Sequence, residues 1–363
     1  LSQKVSTEKE PVTPGAAGQG CGHNLLGVAC LGAALGMKAE LEATGKEGTV
    51  VFYGCPAEEV LTGKAFMARG GAFTELDAAF SWHGSTNNHV TLGTMTGLNS
   101  AIFHFNGITA HAGGDPHNGR SALDAVELTS VGANYLREHV KSDARMHYAY
   151  LNDGGDAPNI VPAAATLLYA LRAPESAYVA ELYERVGDVA KGAALMTGTK
   201  VSYRTVSAYA DLLSIPAMEK VMMEAMQEAE KPEYTEEDYA YAAQFAADEN
   251  SPSIDTDILP ADQTINLGST DVGDVSWQVP TGLIGVATEA TGCALHTWQI
   301  VAQGKSPLAH KGMHYAARIL FAAAKKLYES PERCALIQDD YQNVIGHRTY
   351  QSMLPDSVKP GDF

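Results

Sequence analysis

The alternation of hydrophobic and polar positions divides the first part of the chain into helix-like and strand-like segments. Residues 25–43 form a nearly continuous apolar stretch that is dense in small residues, which predicts a buried helix. The β-branched and aromatic run at residues 49–54 and the apolar run at 78–82 predict strands, with a helix near residues 63–70 between them. Strand, helix and strand at this spacing form a βαβ unit, which predicts a parallel sheet flanked by helices.

The pattern changes after residue 98, where a second group of elements begins. Its order predicts a βαββαβ, ferredoxin-like α+β unit that is inserted into the larger α/β domain, with hinges at residues 96–98 and 207–213. We therefore predict a catalytic domain with a mostly parallel sheet, formed by residues 1–98 and 211–363, and a smaller domain formed by residues 99–210. The segments of the smaller domain are predicted as strands at residues 100–107, 165–172 and 199–206 and as helices at residues 120–139 and 176–196.

Composition excludes several classes of partner. Asp and Glu outnumber Lys and Arg by 43 to 25, and the resulting net charge of −18 argues against nucleic acid or an anionic membrane as a partner. The five cysteines are widely spread, which does not suggest a disulfide framework and favours the reducing cytoplasm. No apolar run is expected to reach the ~20 residues of a membrane span.

The start of the chain predicts an N-terminal truncation. The sequence does not begin with Met, and its first fourteen residues are polar and loop-like. They lead directly into a turn that carries candidate ligands, whereas α/β enzymes usually place a strand before their first ligand loop.

Two short motifs carry the candidate chemistry of the catalytic domain. Cys21 and His23 lie on a glycine-rich turn before the first helix, and Glu58 and Glu59 follow the strand predicted at residues 49–54. Each motif alone has an ordinary explanation, because a cysteine on a turn is usually structural and paired acids often begin a helix. Together, at strand ends that meet at one edge of a sheet, they predict a binuclear metal hydrolase.

Further histidines are candidates of different strength. His83 follows the apolar run at residues 78–82 and is favoured as a metal ligand over a buried structural histidine, and His296 is a similar but less supported candidate. His89 lies in a polar context and is expected in solvent. In the smaller domain, His111 and His117 occupy a Gly- and Pro-rich turn, which is either functional or an ordinary tight turn.

Two other side chains of the smaller domain are suited to binding a substrate carboxylate. Asn159 lies between two prolines, and Arg172 ends a predicted strand. Their alternative interpretations are a turn residue and a surface cation.

Five longer strings resemble the dinuclear metallopeptidase family of aminoacylase, hippurate hydrolase and the plant auxin-conjugate amidohydrolases. The resemblance covers nearly the whole chain. The strings are GCGHNLLG at residues 20–27, FYGCP at 52–56, GRSALDAV at 119–126, STDVGDVSW at 269–277 and LHTWQ at 295–299.

The resemblance implies a role for each candidate. Two divalent ions, Zn²⁺ or Mn²⁺, are expected, and the inserted domain is expected to act as a lid or dimerisation domain whose histidine reaches the partner's active site. The implied roles are Cys21 as the bridging ligand, His23, Glu59, His83 and His296 as the other metal ligands, Glu58 as the general base, His111 as the catalytic histidine of the inserted domain, and His117, Asn159 and Arg172 as residues near the substrate.

The implied activity is metal-dependent hydrolysis of the amide bond of N-acyl or N-aroyl amino acids, with p-aminobenzoyl-glutamate as the first substrate to test. The expected assembly is a homodimer or a heterodimer with a homologous chain. A carboxypeptidase or dipeptidase of the same family is the nearest alternative. A non-catalytic regulatory subunit is a second alternative, and a hydrolase with Cys21 as nucleophile and His23 as base is a third, disfavoured one.

Overall fold

Two separate β-sheets organise the chain, which a computed structural model describes over residues 2–246, 252–260 and 268–362. One sheet has three strands and the other has four. The strands are β1 (Ala79–Ser85), β2 (His89–Val90), β3 (Gly97–Asn106), β4 (Arg145–Asn152), β5 (Ala164–Ala173), β6 (Lys200–Tyr209) and β7 (Thr281–Ala287).

Helices cover both sheets and supply most of the buried apolar side chains of the larger domain. The α-helices are α1 (His23–Thr44), α2 (Glu58–Leu61), α3 (Gly63–Arg69), α4 (Ala122–Leu136), α5 (Ser176–Thr197), α6 (Pro216–Glu228), α7 (Glu236–Ala243), α8 (Val272–Ser276), α9 (Trp298–Gln303), α10 (Pro307–Glu329) and α11 (Pro331–Ile345).

The four-stranded sheet has the βαββαβ order that the sequence predicts. Its strands lie in the order β4-β5-β3-β6 and every pair is antiparallel, while α4 and α5 pack against each other and against the sheet. Alternate residues of β5, such as Leu167, Tyr169 and Leu171, point into this core and are fully buried. Strand β4 was not among the predicted strands. It is an edge strand that leaves most of its residues exposed, so it lacks the alternation that marks a half-buried strand.

The three-stranded sheet of the larger domain has the order β1-β7-β2. Strands β1 and β7 are parallel, whereas β2 runs antiparallel to β7. The core beside them is formed by α1, α6 and α10, with Trp82, Met218 and Tyr315 among its fully buried side chains. A mostly parallel sheet is therefore too simple a description of the described strands, since one of the two pairings is antiparallel.

Residues 49–54 do not form the predicted strand. They belong to no ladder among the described residues, and they line one side of a large cleft whose opposite side includes β1. Their contacts are made instead with side chains, since the Tyr328 hydroxyl donates to the Thr49 carbonyl oxygen at 2.8 Å. The prediction of a strand here was wrong because β-branched and aromatic residues favour extended backbone, whereas a strand also requires a paired neighbour.

Helix α1 also corrects an expectation about apolar length. Its 22 residues are long and apolar enough to cross a membrane by length and composition, a test that core helices of other proteins also pass. In this structure α1 packs along α10, and Gly32 approaches Ala317 while Gly36 approaches Phe321. The small residues of α1 thus allow two helices to lie close together.

Candidate metal centre

A left-handed turn places the first two candidate ligands. Gly22 has φ of 73° and precedes α1, so Cys21 is buried at the turn while His23 is the first residue of the helix. The same turn is bound to the loop that carries His296, because the His296 amide donates to the Gly20 carbonyl oxygen at 2.7 Å. Gly20 is needed for this approach, since a Cβ at that position would lie 3.1 Å from the His296 Cα.

The paired glutamates begin the short helix α2. Both residues that flank this helix, Ala57 and Thr62, have left-handed backbone with φ of 59° and 50°. Such conformations are strained for residues other than glycine, and they are retained only where the surrounding structure enforces them. They direct Glu58 and Glu59 towards the turn that carries Cys21.

Five predicted metal ligands and the predicted base lie together in this structure. The Cys21 Sγ is 3.2 Å from the His83 Nε2, and the His296 Nε2 is 3.3 Å from the Glu59 Oε2. Ligand atoms lie within 4.8 Å of one another in each of three groups, and Cys21 belongs to two of them. The groups are Cys21, His23 and His83; Cys21, Glu59 and His296; and His23, Glu58 and Glu59.

His83 is oriented for coordination by its own backbone. It lies inside β1, and its Nδ1 is 2.6 Å from the Gly84 carbonyl oxygen. A carbonyl oxygen only accepts, so Nδ1 carries the proton and Nε2 presents its lone pair towards the Cys21 Sγ. A histidine ligand usually has this arrangement, with the second ring nitrogen donating to a carbonyl or carboxylate.

The electrostatics of the cluster match a site for cations. Burial raises the pKa of the Cys21 thiol, and the nearby Glu59 raises this pKa further. Burial also raises the pKa of Glu58, and burial together with the neighbouring His83 lowers the pKa of His23. Carboxylates and a thiolate crowded in one place are costly without a counter-ion, whereas divalent cations stabilise the thiolate and bind neutral imidazole. The donor set of thiolate, imidazole and carboxylate therefore fits divalent metal ions.

The candidate base is held by a residue that the sequence analysis did not single out. The Thr270 hydroxyl donates to the Glu58 Oε1 at 3.0 Å, and the Glu58 Oε2 is 3.9 Å from the His23 Nε2. The next residue, Asp271, is completely buried and accepts from the Lys64 ammonium at 2.7 Å. Both partners are more than 200 residues from the glutamates in sequence, so no local motif indicated them.

A cleft of about 1670 Å³ opens beside the cluster. Arg172 lines it from β5, and its Nη1 donates to the Ser269 Oγ at 2.6 Å. His89 also lines the cleft, which corrects its expected place in solvent. Its ring lies against Gly285, where a Cβ would meet it at 2.1 Å, and its Nδ1 is 2.8 Å from the Asn87 Oδ1.

The remaining candidates of the smaller domain lie apart from this cluster. His111, His117 and Asn159 are exposed and do not line the cleft in the described part of the chain. The His111 Nδ1 accepts from the backbone amides of Gly113 and Gly114 at 3.2 and 2.9 Å. The proton of a neutral His111 therefore resides on Nε2, which leaves a donor directed away from the loop.

Comparison with known proteins agrees with this geometry. Residues 94–195 match the peptidase dimerisation domain of the M20 peptidases. The chain is 40% identical to one of the two subunits of p-aminobenzoyl-glutamate hydrolase from Escherichia coli, over 99% of this chain and 81% of that protein. The chain belongs to the M20 peptidase family. It is also 28% identical to the human Xaa-Arg dipeptidase, over 90% of this chain and 70% of that protein.

A solved structure supports the M20 fold. The aminobenzoyl-glutamate utilization protein from Klebsiella pneumoniae superposes with a TM-score of 0.52 at 21% identity, over 77% of this chain and 66% of that chain. The family predicted from the sequence is thus confirmed, and with it the assignment of this M20 chain as a hydrolase of the amidohydrolase type. The roles of individual residues stay predictions.

Proposed function

We propose that this chain is a dinuclear metal-dependent amidohydrolase that cleaves the amide bond of N-acyl or N-aroyl amino acids. The observation that carries the proposal is the position of Cys21, whose Sγ is shared by two groups of candidate ligands. A thiolate between two such groups is suited to bridging two ions. Zn²⁺ fits this mixed donor set best, and Mn²⁺ is the second candidate.

Each ion has a defined set of ligands in this proposal. Cys21 belongs to both sets, with His23 and His83 on one side and Glu59 and His296 on the other. When bound, divalent ions polarise a carbonyl oxygen and lower the pKa of a water molecule towards ~7.

Glu58 moves the proton in the reaction. Its Oε1 is held by Thr270 while its Oε2 is directed towards the cluster, so one carboxylate oxygen is available to accept a proton from the attacking water. The raised pKa of Glu58, caused mainly by burial, makes this carboxylate a better base and its acid a reservoir for the leaving amine. The Nε2–H of His111, contributed by a partner chain, is suited to stabilising the oxyanion of the intermediate.

The substrate is an N-acylated amino acid with a free carboxylate. The Arg172 guanidinium lines the cleft and is positioned to bind that carboxylate, with His117 and Asn159 as further contacts. The 40% identical relative is named for p-aminobenzoyl-glutamate, which makes this compound the first substrate to test. The relatives include two different subunits of that hydrolase, which supports either a homodimer or a pairing with a homologous chain. Five free cysteines favour a cytoplasmic location.

Metal content and turnover together test this proposal. We expect about two ions per chain after dialysis, as a dinuclear site requires. Glu58→Gln should keep both ions and lower kcat by ~10²- to 10⁴-fold, because the base is lost while the ligands remain. The exposed Glu42→Gln on α1 serves as a control of the same chemistry and should leave kcat unchanged. Retained turnover in Glu58→Gln would exclude Glu58 as the base, and absence of bound metal would favour a non-catalytic subunit.

A dipeptidase is the second candidate function. The human relative at 28% identity is named an Xaa-Arg dipeptidase. A panel of N-aroyl glutamates and dipeptides with C-terminal arginine separates the two activities by their kcat/KM values.

A further inference from the structure

Three consecutive residues contact three different parts of the candidate site. In this 269–271 segment, the Ser269 Oγ accepts from Arg172 at 2.6 Å, Thr270 donates to Glu58 at 3.0 Å and Asp271 accepts from Lys64 at 2.7 Å. The segment therefore contacts the candidate carboxylate-binding arginine of the smaller domain and the candidate base of the larger domain simultaneously.

Glu58 needs an external partner because its own helix is weak. Helix α2 has only four residues, and no side chain caps its N-terminus. Glu58 is its first residue, and the adjacent carboxylate of Glu59 is among the groups that raise the pKa of Glu58. The hydrogen bond from Thr270 occupies one oxygen of Glu58, so the other is left facing the imidazole of His23 at 3.9 Å.

The hydroxyl of Thr270 is itself held in place. Asp271 is completely buried and accepts from both the backbone amide of Lys64, at 2.8 Å, and its ammonium group, at 2.7 Å. Lys64 belongs to α3, which directly follows the helix that carries Glu58. The donor and the carboxylate that it orients are thus anchored to each other by a buried ion pair.

We propose that the 269–271 segment aligns the two halves of the reaction, with Thr270 as a positioning residue for Glu58 and Ser269 as a positioning residue for Arg172. The proposal rests on the proposed amidohydrolase function. It assigns separate effects to neighbouring hydroxyls, since Thr270 acts on the chemical step and Ser269 acts on substrate binding.

Kinetics of three variants test the proposal. Thr270→Val removes the hydroxyl and keeps the shape, so kcat should fall about 10-fold to 100-fold with little change in KM, as expected for the loss of a hydrogen bond to a charged group. Thr270→Ser retains the donor and should retain kcat within about 3-fold. Ser269→Ala should raise KM for p-aminobenzoyl-glutamate about 10-fold with little change in kcat. The exposed Thr44→Val, at the end of α1, is the matched control and should behave as the wild type.

Crystal structures of the wild type and of Thr270→Val provide a measurement that does not depend on turnover. We expect the Glu58 carboxylate to leave its wild-type position in the variant. A Glu58 that keeps its position, or equal losses of kcat in Thr270→Val and Thr270→Ser, would overturn the positioning role. A metal-loaded wild type that cleaves no substrate would instead count against the proposed function, and the two crystal structures would still decide the role of Thr270.

Discussion

Asp274 is a completely buried carboxyl group in the helix that follows the 269–271 segment. It accepts from the Ala210 amide at 2.9 Å and from the Tyr350 hydroxyl at 2.6 Å, yet burial dominates and raises its pKa from 3.8 to about 7. The folded chain therefore holds a proton on Asp274 at pH values where the unfolded chain has released it. The free energy of unfolding should consequently decrease as the pH rises from about 4 to about 7.

The substitution Asp274→Asn tests this dependence. Asparagine keeps the shape and does not titrate, so the free energy of unfolding should fall less between about pH 5 and about pH 8 than in the wild type, by a few kcal/mol at most. Urea denaturation at the two pH values measures the difference. Part of the dependence will remain, because burial also raises the pKa of Glu289 to about 7.

A surface substitution provides the comparison. Asp188→Asn removes a carboxylate that is exposed and forms an ion pair with Lys191, so the pH dependence should equal that of the wild type. If Asp274→Asn has the same pH dependence as the wild type, Asp274 is ionised in the folded chain.

Individual residues of the site differ in how well the sequence indicates them. Cys21 with His23 and Glu58 with Glu59 form compact local motifs, and the structure places both pairs in one cluster. Thr270 carries no motif of its own, and its contact with Glu58 exists only because α8 and α2 are brought together by the fold. A short sequence motif identifies reactive groups, whereas the residues that orient them depend on long-range packing.

Whole elements show the same division. The smaller domain was predicted in nearly correct order because its helices and central strands have clear apolar periodicity and pair with near neighbours in the chain. The predicted βαβ unit was wrong in its first strand, since residues 49–54 have strand-like composition but no ladder partner among the described residues. Composition determines the local tendency to extend, while pairing depends on which segments lie alongside.

The turn between α2 and α3 is the element on which the paired glutamates depend most. Gly63 begins α3, and a Cβ at this position would lie 1.9 Å from the Pro56 carbonyl oxygen. Because that atom belongs to the backbone, Gly63→Ala must displace the segment that carries Glu58 and Glu59. We expect a loss of stability of about 1–3 kcal/mol together with weaker metal binding, measured by urea denaturation and by metal titration.

A second glycine provides an opposite expectation for the same substitution. Gly192 lies in the interior of α5, and a Cβ there would meet no atom within 4 Å. Gly192→Ala should therefore raise the free energy of unfolding by up to ~1 kcal/mol and leave metal binding unchanged. Unchanged metal affinity in Gly63→Ala would show that the close approach to Pro56 does not set the position of the glutamates.

At the scale of the whole molecule, the surface of the smaller domain suggests association. His111 is exposed and lies outside the cleft of its own chain, as far as the structure describes it. Large apolar side chains are also exposed on the helices of this domain, with Tyr135 at 76% and Leu195 at 85%. Residues 94–195 match a dimerisation domain. A site completed by a second chain explains why a histidine with a prepared donor lies far from the metal cluster.

Complementation between two inactive variants tests whether the site is shared. Glu58→Gln retains His111 but lacks the base, whereas His111→Ala retains the base but lacks the donor for the partner. A mixed dimer contains one site with both groups, so an equal mixture that has exchanged subunits should recover about a quarter of wild-type activity, given random pairing. Exchange is verified by co-purification through a tag on one variant. A mixture that has exchanged and remains as inactive as its components would show that His111 does not act in the partner's site, because the pairing would then have assembled an intact centre without effect.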